Sequence, residues 1–502
     1  MVGAGLAGLC TALHLLGAGR RVTVVEREAH PGGRAGRLDL GTAGGTYRVD
    51  TGPTVLTMPE LLDEALAAVG SSVAERLDLV RLDPAYHARF ADGSAIAVHT
   101  DPEAMEAEVR AVCGPAEAEG YRRLRTWLTD LYRAEIDTFI GANLDSPFSL
   151  VGPDLARLGA LGGFGRLGPR IARFLSDERL QRIFSFQALY AGLPPDRALG
   201  AYGVIAYMDT IAGVWFPRGG MRAIGDALAA AAADAGAEFL YEREVTGLER
   251  GPGRVTAVRH AGPDRGATER LACDAVVLTP DLPVVHRLLG RAPRRPVPLR
   301  WSPSAVVLHL GVRNTPDLGH HTISFGAAWE RTFAEIVDEG RLMSDPSLLL
   351  TRPTATDPGL APPDRDLLFV LAPCPNTDRA PLAWDSIGPA YRDELLAVLD
   401  RRGLPVGEIE VSRVVTPADW AAQGLGAGTP FSLAHTVAQT GPFRPRNLPR
   451  GWENVVLAGC GTTPGVGIPP VVLSGRLAAE RITGVRGPRR ARTPSVRAWA
   501  PT

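Results

Sequence analysis

The sequence predicts an α/β fold in which a Rossmann-like dinucleotide-binding domain carries an inserted helical region and an antiparallel-sheet substrate domain. Three observations support this class. Gly3, Gly5 and Gly8 form a G-x-G-x-x-G motif at the start of the chain. A mainly helical block occupies residues 101–218, between stretches in which strand and helix patterns alternate. A second unit of strand, glycine-rich turn and helix follows at residues 454–482.

The first unit has a physical rationale at each position. One glycine turns the chain, one lets the backbone approach a pyrophosphate, and one packs the helix on the strand. The predicted helix 6–16 directs its N terminus at the phosphates, and a predicted strand follows at 21–26. Glu26 lies 18 residues after Gly8, close to the spacing of an acid that accepts hydrogen bonds from a ribose. The alternative is an α/β turn that binds no nucleotide. The strand expected before Gly3 is reduced to Met1 and Val2.

Composition excludes several classes of function. The 502 residues suffice for two or three domains, and the net charge of -1 disfavours nucleic acid as a partner. All 54 basic residues are arginine, so a lysine Schiff base or a P-loop lysine is impossible. The five cysteines form no C-x-x-C pair, which predicts no metal site and a reducing compartment. No run of 18 apolar residues predicts a membrane-spanning helix.

The middle of the chain predicts helices at 105–112, 121–140 and, interrupted by glycines, 155–175. In the last stretch, apolar residues recur at helical spacing with arginines between them: Leu158, Leu161, Phe164, Leu167, Ile171 and Phe174. We interpret this stretch as a core-facing helix pair with a solvated face. The alternative is an interfacial surface that touches lipid.

Strand patterns at 238–241, 254–259 and 275–279 then return the chain to α/β alternation. The nucleotide-binding domain is therefore predicted to be discontinuous, comprising residues 1–100, 219–300 and 440–485, with the helical insertion at 101–218. Frequent strands, at 305–310, 321–325, 347–350, 367–371 and 410–415, predict the antiparallel-sheet domain at 301–439. The Arg- and Pro-rich segment 486–502 is predicted to be a disordered tail.

The final unit is a buried strand at 454–459, a glycine-rich turn and a helix at 471–482 with prolines near its start. A proline at the first turn suits a helix N terminus, where a partial positive charge attracts anions. The sequence therefore predicts a second anion-facing helix, supplied by the far end of the chain.

Longer motifs carry a family resemblance over nearly the full length. They are GAGLAGL and PGGRAG near the start, VDTGPTV at 49–55, LSDERLQRIFSFQALYAG at 175–192, GVWFPRGGM at 213–221, LGHHTISFG at 318–326, LFVLAPCPN at 368–376, TPFSLAHTVAQTGPFRPRN at 429–447 and GCGTTPGVGIPPVVLSGRLAAERI at 459–482. On these motifs the chain resembles the bacterial-type phytoene desaturases, within the FAD-dependent amine-oxidase-like superfamily. Two residues depart from the family pattern. Cys460 stands where many relatives have an acid, and Thr463 replaces a histidine common in desaturases.

The resemblance implies FAD as cofactor and assigns its contacts by motif. The residues that match the family's cofactor-binding positions are Gly3, Gly5 and Gly8 at the pyrophosphate, Glu26 at the ribose, Gly32, Gly33 and Arg34 beside the phosphates and flavin, Thr51, Gly52 and Pro53 beside the isoalloxazine, Val245 near the adenine, and Gly459, Gly461, Gly465, Gly467, Ile468 and Pro469 at the ribityl chain and flavin N1–C2=O. A helix N terminus at N1–C2=O stabilises the negative charge that develops on reduction.

The implied reaction converts phytoene toward lycopene, with hydride transfer from a substrate C–H to flavin N5. A quinone or oxygen would reoxidise the flavin. About forty substrate carbons exposed to water would cost on the order of 30 kcal/mol, so the substrate must enter from a membrane. We therefore expect a peripheral protein at the cytoplasmic side of the cell membrane. The base that takes the proton is expected to be a carboxylate, first Asp154, with Asp209 and Asp281 as alternatives to it. Each of the three also suits a surface or capping role.

Other functions on this scaffold remain as alternatives. Flavin-dependent amine oxidases typically place a lysine near the flavin, and this chain has none. A desaturase or isomerase acting on a shorter or modified carotenoid would carry the same motifs, because pocket shape sets that choice. A non-catalytic isoprenoid-binding escort protein would tend to lose the flavin motifs, which are intact here.

Overall fold

The two ends of the chain meet in one parallel sheet. The computed structural model describes residues 1–264, 266–293, 295, 297–314 and 318–486, so the predicted tail lies outside the described residues except for Arg486. The parallel pairs are β1 (Thr23–Val25) with β8 (Glu238–Leu240) and β12 (Val276–Leu278) with β18 (Val455–Leu457). Val2 bridges Val25 on one side and Leu278 on the other, so one residue fills the central strand position.

Helices cover this sheet as the α/β class predicts, and the predicted class is confirmed. Helix α1 (Leu6–Gly17) packs against α10 (Arg222–Asp234) and α15 (Ile468–Thr483). Every residue of α1 from Leu6 to Leu13 is buried. The approach of α15 is close, because a Cβ added to Gly475 would lie 2.7 Å from the carbonyl oxygen of Ala7. Residues from both ends therefore share one core.

Three smaller β units flank this layer. The hairpin β2 (Arg37–Thr42) and β3 (Gly45–Asp50) follows the nucleotide turn, and β4 (Leu79–Leu82) pairs with β7 (Val214–Pro217). The strands β9 (Glu244–Gly251), β10 (Arg254–Ala261) and β11 (Glu269–Ala272) form an antiparallel sheet of their own. The remaining helices on this side are α2 (Glu60–Ala67), α3 (Val73–Arg76) and α11 (Leu282–Leu289).

The large sheet contains every strand predicted between residues 301 and 439. In the described part of the chain its order is β17 (Glu408–Val415), β13 (Ser304–Arg313), β16 (Asp366–Cys374), β15 (Leu348–Thr351), β14 (His321–Ser324), β5 (Tyr86–Arg89) and β6 (Ala95–Val98). All its pairs are antiparallel except β14 with β5. The helices of this region are α12 (Trp329–Phe333), α13 (Trp384–Arg401) and α14 (Pro417–Ala422).

Strands β5 and β6 depart from the predicted division of the chain. They fall within the segment 1–100 that we predicted to belong to the nucleotide-binding domain, yet β5 pairs with β14 through Ala88 and Ile323. The physical reason is that a short strand joins whichever sheet edge buries its apolar face, and Tyr86 and Ala88 are buried. Strands β5 and β6, which we predicted to belong to the nucleotide-binding domain, are therefore part of the large sheet.

The helical insertion contacts β6 of the large sheet and also α15, where Asn143 donates to the Leu477 carbonyl at 3.2 Å. It comprises α4 (Pro102–Cys113), α5 (Pro115–Glu135), α6 (Pro153–Ala160), α7 (Leu167–Ile171), α8 (Glu178–Ile183) and α9 (Gly203–Tyr207), with π-helical turns at Ile136–Ile140 and Met208–Ala212. The predicted glycine-interrupted stretch forms two short helices whose Leu158, Leu167 and Ile171 are buried, whereas Phe164 is 56% exposed. Of the helices described, none is long and apolar enough to cross a membrane.

Candidate functional site

The glycines of the first turn differ in what they accommodate. Gly3 has φ +100°, and a Cβ there would overlap the Thr279 hydroxyl. A Cβ on Gly8 would overlap the Gly3 carbonyl oxygen, so folding alone requires both glycines. A Cβ on Gly5 would meet only the Cα of Gly33, at 3.9 Å. The protein's own packing therefore leaves room over Gly5, and this room suits a pyrophosphate that approaches the backbone.

Glu26 is fixed beside this turn. Its carboxylate is buried and accepts hydrogen bonds from the backbone N–H groups of Ala4 at 2.6 Å and Glu28 at 3.0 Å. The backbone N–H of Arg243 donates to the Glu26 carbonyl at 2.8 Å, which brings Val245 at the start of β9 close to this acid. The geometry gives a fixed carboxylate at the end of β1, where a ribose hydroxyl is a suitable donor.

The PGGRAG and VDTGP segments pack on the same turn. Gly32 bridges Gly5, and its N–H donates to the Ala4 carbonyl at 2.9 Å. The N–H of Thr51 donates to the Gly36 carbonyl at 3.0 Å. A Cβ on Gly52 would overlap the Arg34 carbonyl oxygen, so this segment, which Pro53 continues, lies directly against PGGRAG. Glycine at these positions lets three backbone segments converge.

Asp50 explains why the VDTGP and PRGGM motifs occur together, and sequence reasoning gave it no role. The buried Asp50 carboxylate accepts hydrogen bonds from the backbone N–H groups of Met221 at 3.0 Å and Arg222 at 3.4 Å, at the start of α10. It therefore caps a helix that begins 172 residues later. Burial raises its pKa to about 7, although these two hydrogen bonds act in the opposite direction.

Arg34 joins the two ends of the chain. Its Nη1 donates to the Pro430 carbonyl at 2.8 Å and lies 2.9 Å from Cys460 Sγ, and its Nη2 lies 3.8 Å from Asp281. Beyond Cys460, a glycine-rich loop that contains Gly461 and Gly465 leads to Gly467, the N-cap of α15. The helix itself begins with Ile468 and Pro469. The Gly459 N–H donates to Ser474 of this helix at 2.8 Å. The first and last glycine motifs thus meet through Arg34, and the last one leads directly into the N terminus of α15.

Arg444, which sequence reasoning missed, supports this loop from behind. It is 1% exposed and donates to the carbonyls of Thr462 at 2.9 Å and Cys460 at 2.6 Å. Desolvation lowers its pKa to about 10, so the guanidinium stays charged at neutral pH. The FRPRN segment was noted only as a family motif, and nothing local to it indicates complete burial.

The three candidate carboxylates have different surroundings. Asp281 is buried and has polar partners. It accepts a hydrogen bond from the Gly426 N–H at 2.9 Å, and it lies 3.8 Å from Arg34 Nη2. Asp154 is half-buried in the first turn of α6 and accepts from the Thr138 hydroxyl at 2.5 Å. Asp209 is 4% exposed in the π-helical turn Met208–Ala212, and burial raises its pKa to about 7. The structure thus groups Asp281 with Arg34 and the loop that contains Cys460, and it gives Asp209 the most apolar setting.

Known proteins resemble this chain over almost its whole length. The family model of the flavin containing amine oxidoreductases matches residues 6–483. A phytoene dehydrogenase of Streptomyces griseus is 66% identical over 499 residues, which cover 98% of this chain and 96% of that protein. A zeta-carotene-forming phytoene desaturase of Myxococcus xanthus is 35% identical, with 96% and 93% covered. An oxidoreductase structure from Methanosarcina mazei, 17% identical, shares the fold with a TM-score of 0.58 and covers 94% of this chain and 97% of its own.

Proposed function

Because this chain belongs to the flavin containing amine oxidoreductases and, within them, to the family of bacterial phytoene desaturases, we propose that it converts phytoene toward lycopene. It is an FAD-dependent oxidoreductase, and its substrate is an apolar carotenoid. The observation that carries the proposal is the meeting of both glycine motifs at Arg34, in a chain 66% identical to a phytoene dehydrogenase. When bound, FAD supplies a two-electron acceptor that takes a hydride at N5.

The residues proposed to hold FAD are those of the converging segments. The room over Gly5 supports a pyrophosphate there, and the fixed carboxylate of Glu26 supports a ribose contact. The full set is Gly3, Gly5, Gly8, Glu26, Gly32, Gly33, Arg34, Thr51, Gly52, Pro53, Val245, Gly459, Gly461, Gly465, Gly467, Ile468 and Pro469. The N terminus of α15 and the charged Arg444 behind its loop would stabilise negative charge on the bound flavin.

The polyene is proposed to lie between the helical insertion and the large sheet. Aromatic side chains from both units meet there. Phe186 of the insertion contacts Phe325, which stacks on Phe90 at 5.2 Å and meets Trp329 at 5.6 Å. A substrate without polar groups gains affinity only from apolar burial, and this layer offers such surface.

Exposed apolar side chains support a membrane-docking surface, which we define as Phe148, Val151, Val437 and Phe443. They are 85%, 74%, 56% and 49% exposed. The two segments that carry them are neighbours, because Asn447 donates to Asn143 at 2.7 Å. Exposed aromatic and aliphatic groups insert into the headgroup region of a bilayer. We propose that this surface holds the protein at the cytoplasmic face of the cell membrane, where substrate and a quinone acceptor dissolve, oxygen being the alternative acceptor.

The decisive experiment supplies phytoene in liposomes to the purified protein with FAD and follows the products by chromatography. We expect a yellow protein with flavin absorption and stepwise loss of phytoene to more unsaturated carotenes. If phytoene is untouched while a different carotenoid is desaturated or isomerised, the substrate assignment is wrong. A colourless protein that binds isoprenoids would instead favour the escort function.

Membrane docking is tested separately by liposome flotation. The double variant Phe148→Glu/Val151→Glu places two charges in the proposed surface and is expected to remain unbound. The matched control is Ile409→Glu, an apolar position that is 38% exposed on β17 of the large sheet. Equal flotation of the double variant and the control would refute this surface.

A further inference from the structure

A buried carboxyl lies where the helical insertion contacts the large sheet. Asp209 is 4% exposed, and among the described residues its Oδ2 has no hydrogen-bond partner. An ionised carboxylate in such a place costs folding free energy. Groups of this kind are concentrated at functional sites. Asp281, the other buried candidate, accepts hydrogen bonds from a backbone N–H and a hydroxyl. The two carboxyls therefore differ: Tyr86 interacts with the Asp209 carboxyl, whose Oδ2 still has room to accept a proton.

The titratable groups around Asp209 are neutral. Tyr86 of β5 and Tyr190, which follows the 3-10 turn Phe186–Leu189, face it, and burial raises the pKa of both phenols well above the usual value. Behind Tyr86 stands His321 of β14, with ring centroids 5.5 Å apart. Burial and the adjacent His320 lower the pKa of His321 far below its usual value, so this imidazole is uncharged. Asp209 thus has no cation among these neighbours to weaken it as a base.

Polar contacts connect this cluster with the loop proposed to lie beside the flavin. His321 Nδ1 lies 3.0 Å from the Thr351 hydroxyl, which in turn donates to the Thr54 hydroxyl at 3.2 Å. Thr54 directly follows Pro53 of the VDTGP segment. Contacts through Tyr86, His321 and Thr351 therefore link Asp209 with this segment, and Tyr86 also touches Phe186 of the apolar layer proposed for the polyene.

We propose that Asp209 is the catalytic base that accepts the proton released when the substrate CH–CH group becomes C=C, with Tyr86 positioning its carboxylate. The proposal rests on the proposed function. Two substrate C–H bonds break and one C=C π bond forms. One hydrogen leaves with its electron pair to the flavin, a two-electron reduction that matches the two-electron oxidation of the substrate. The other leaves as a proton and forms an O–H bond to Asp209 Oδ2.

The surroundings of Asp209 suit this proton transfer better than those of Asp154. A base acts best when its pKa lies near the working pH, and burial raises the pKa of Asp209 to about 7. Asp154, our first choice from the sequence, accepts a hydrogen bond from Thr138 and is half-buried. Its catalytic role stays a prediction, and the comparison of the two carboxyls is the core of the test.

The test compares Asp209→Asn, Tyr86→Phe and Asp154→Asn in the FAD-loaded protein with phytoene liposomes. We expect the wild-type rate to rise about tenfold per pH unit below pH 7 and then level off. Asp209→Asn is expected to lose at least about 100-fold in rate together with this pH dependence, while its flavin absorption is retained. Tyr86→Phe should shift the midpoint of the pH profile, which a merely structural role would not do. Loss of activity and pH profile in Asp154→Asn, with both unchanged in Asp209→Asn, overturns the proposal.

A second readout does not depend on turnover. Infrared spectroscopy of the protein without substrate should show protonated carboxyl absorption that titrates near pH 7, and the part that Asp209 contributes should be absent in Asp209→Asn. The matched control is Glu135→Gln, because Glu135 is also buried and burial raises its pKa well above the usual value. Asp50 also titrates near pH 7, so the assignment rests on the difference spectrum between wild type and Asp209→Asn. A difference spectrum without a carboxyl band that titrates near pH 7 overturns the assignment. If the wild-type protein does not convert phytoene, the proposed function is wrong and the assignment of the base is still open to test. The same variants are then compared on the carotenoid that the wild-type protein does consume.

Discussion

Replacement of Asp209 by asparagine is expected to stabilise the protein, and more so as the pH rises. Burial raises the pKa of Asp209 from 3.8 to about 7. Between these values the folded protein keeps a proton that the unfolded chain releases, so wild-type stability falls as pH increases. A shift of about three units corresponds to about 4 kcal/mol in total, since each unit is worth about 1.4 kcal/mol. About 2.5 kcal/mol of this falls between pH 5 and pH 8. Asparagine has nearly the same shape and does not titrate. The free energy of unfolding of the variant therefore does not fall with pH in this way.

The assay is urea unfolding of wild type and Asp209→Asn at pH 5 and pH 8, followed by tryptophan fluorescence. Asp50 titrates in the same window but is common to both proteins, so its effect cancels in the difference. Thr210→Ser, at the next buried position of the same turn, is the control, and its effect should not vary with pH. A difference between Asp209→Asn and wild type that is equal at both pH values would refute the reasoning.

Three further outcomes are expected. Gly5→Ala adds a Cβ that would meet only the Gly33 Cα, at 3.9 Å, so the variant should retain less FAD on purification, measured by flavin absorption, yet unfold at nearly the wild-type temperature. Asp50→Ala removes the cap of α10 and should lower the unfolding free energy by about 1–2 kcal/mol, measured by urea titration; an unchanged value would contradict the capping role. Arg444→Lys keeps the charge but loses hydrogen bonds to the loop, so it should bind FAD more weakly in fluorescence titration while the flavin reduction potential shifts little.

Much of the fold could be predicted because its signals are local. The glycine turn, the strand that ends at Glu26 and the strands between 301 and 439 each follow from neighbouring residues. The assignment of β5 and β6 to the large sheet did not follow, since partner choice depends on which sheet edge is free in three dimensions. A short strand of four residues carries too little pattern to identify its partner.

The candidate site shows the same limit. Motif spacing predicted which segments converge on the first glycine turn, because those segments interact through backbone groups and glycines. It did not predict that Asp50 caps a distant helix or that Arg444 is fully buried. Among three carboxylates near family motifs, Asp209 differs from Asp154 in its burial and from Asp281 in its unpartnered Oδ2, and both are properties of the assembled molecule.

The junction between Arg34 and Cys460 joins positions 426 residues apart. During synthesis the first glycine turn leaves the ribosome long before β18 and α15 exist, so the side of α1 that packs on α15 has no cover until they are made. FAD is therefore expected to bind only after the C-terminal elements β18 and α15 have been synthesised. A product terminated before residue 455 would lack half of the proposed FAD site and would be a substrate for chaperones and proteases rather than a slower enzyme.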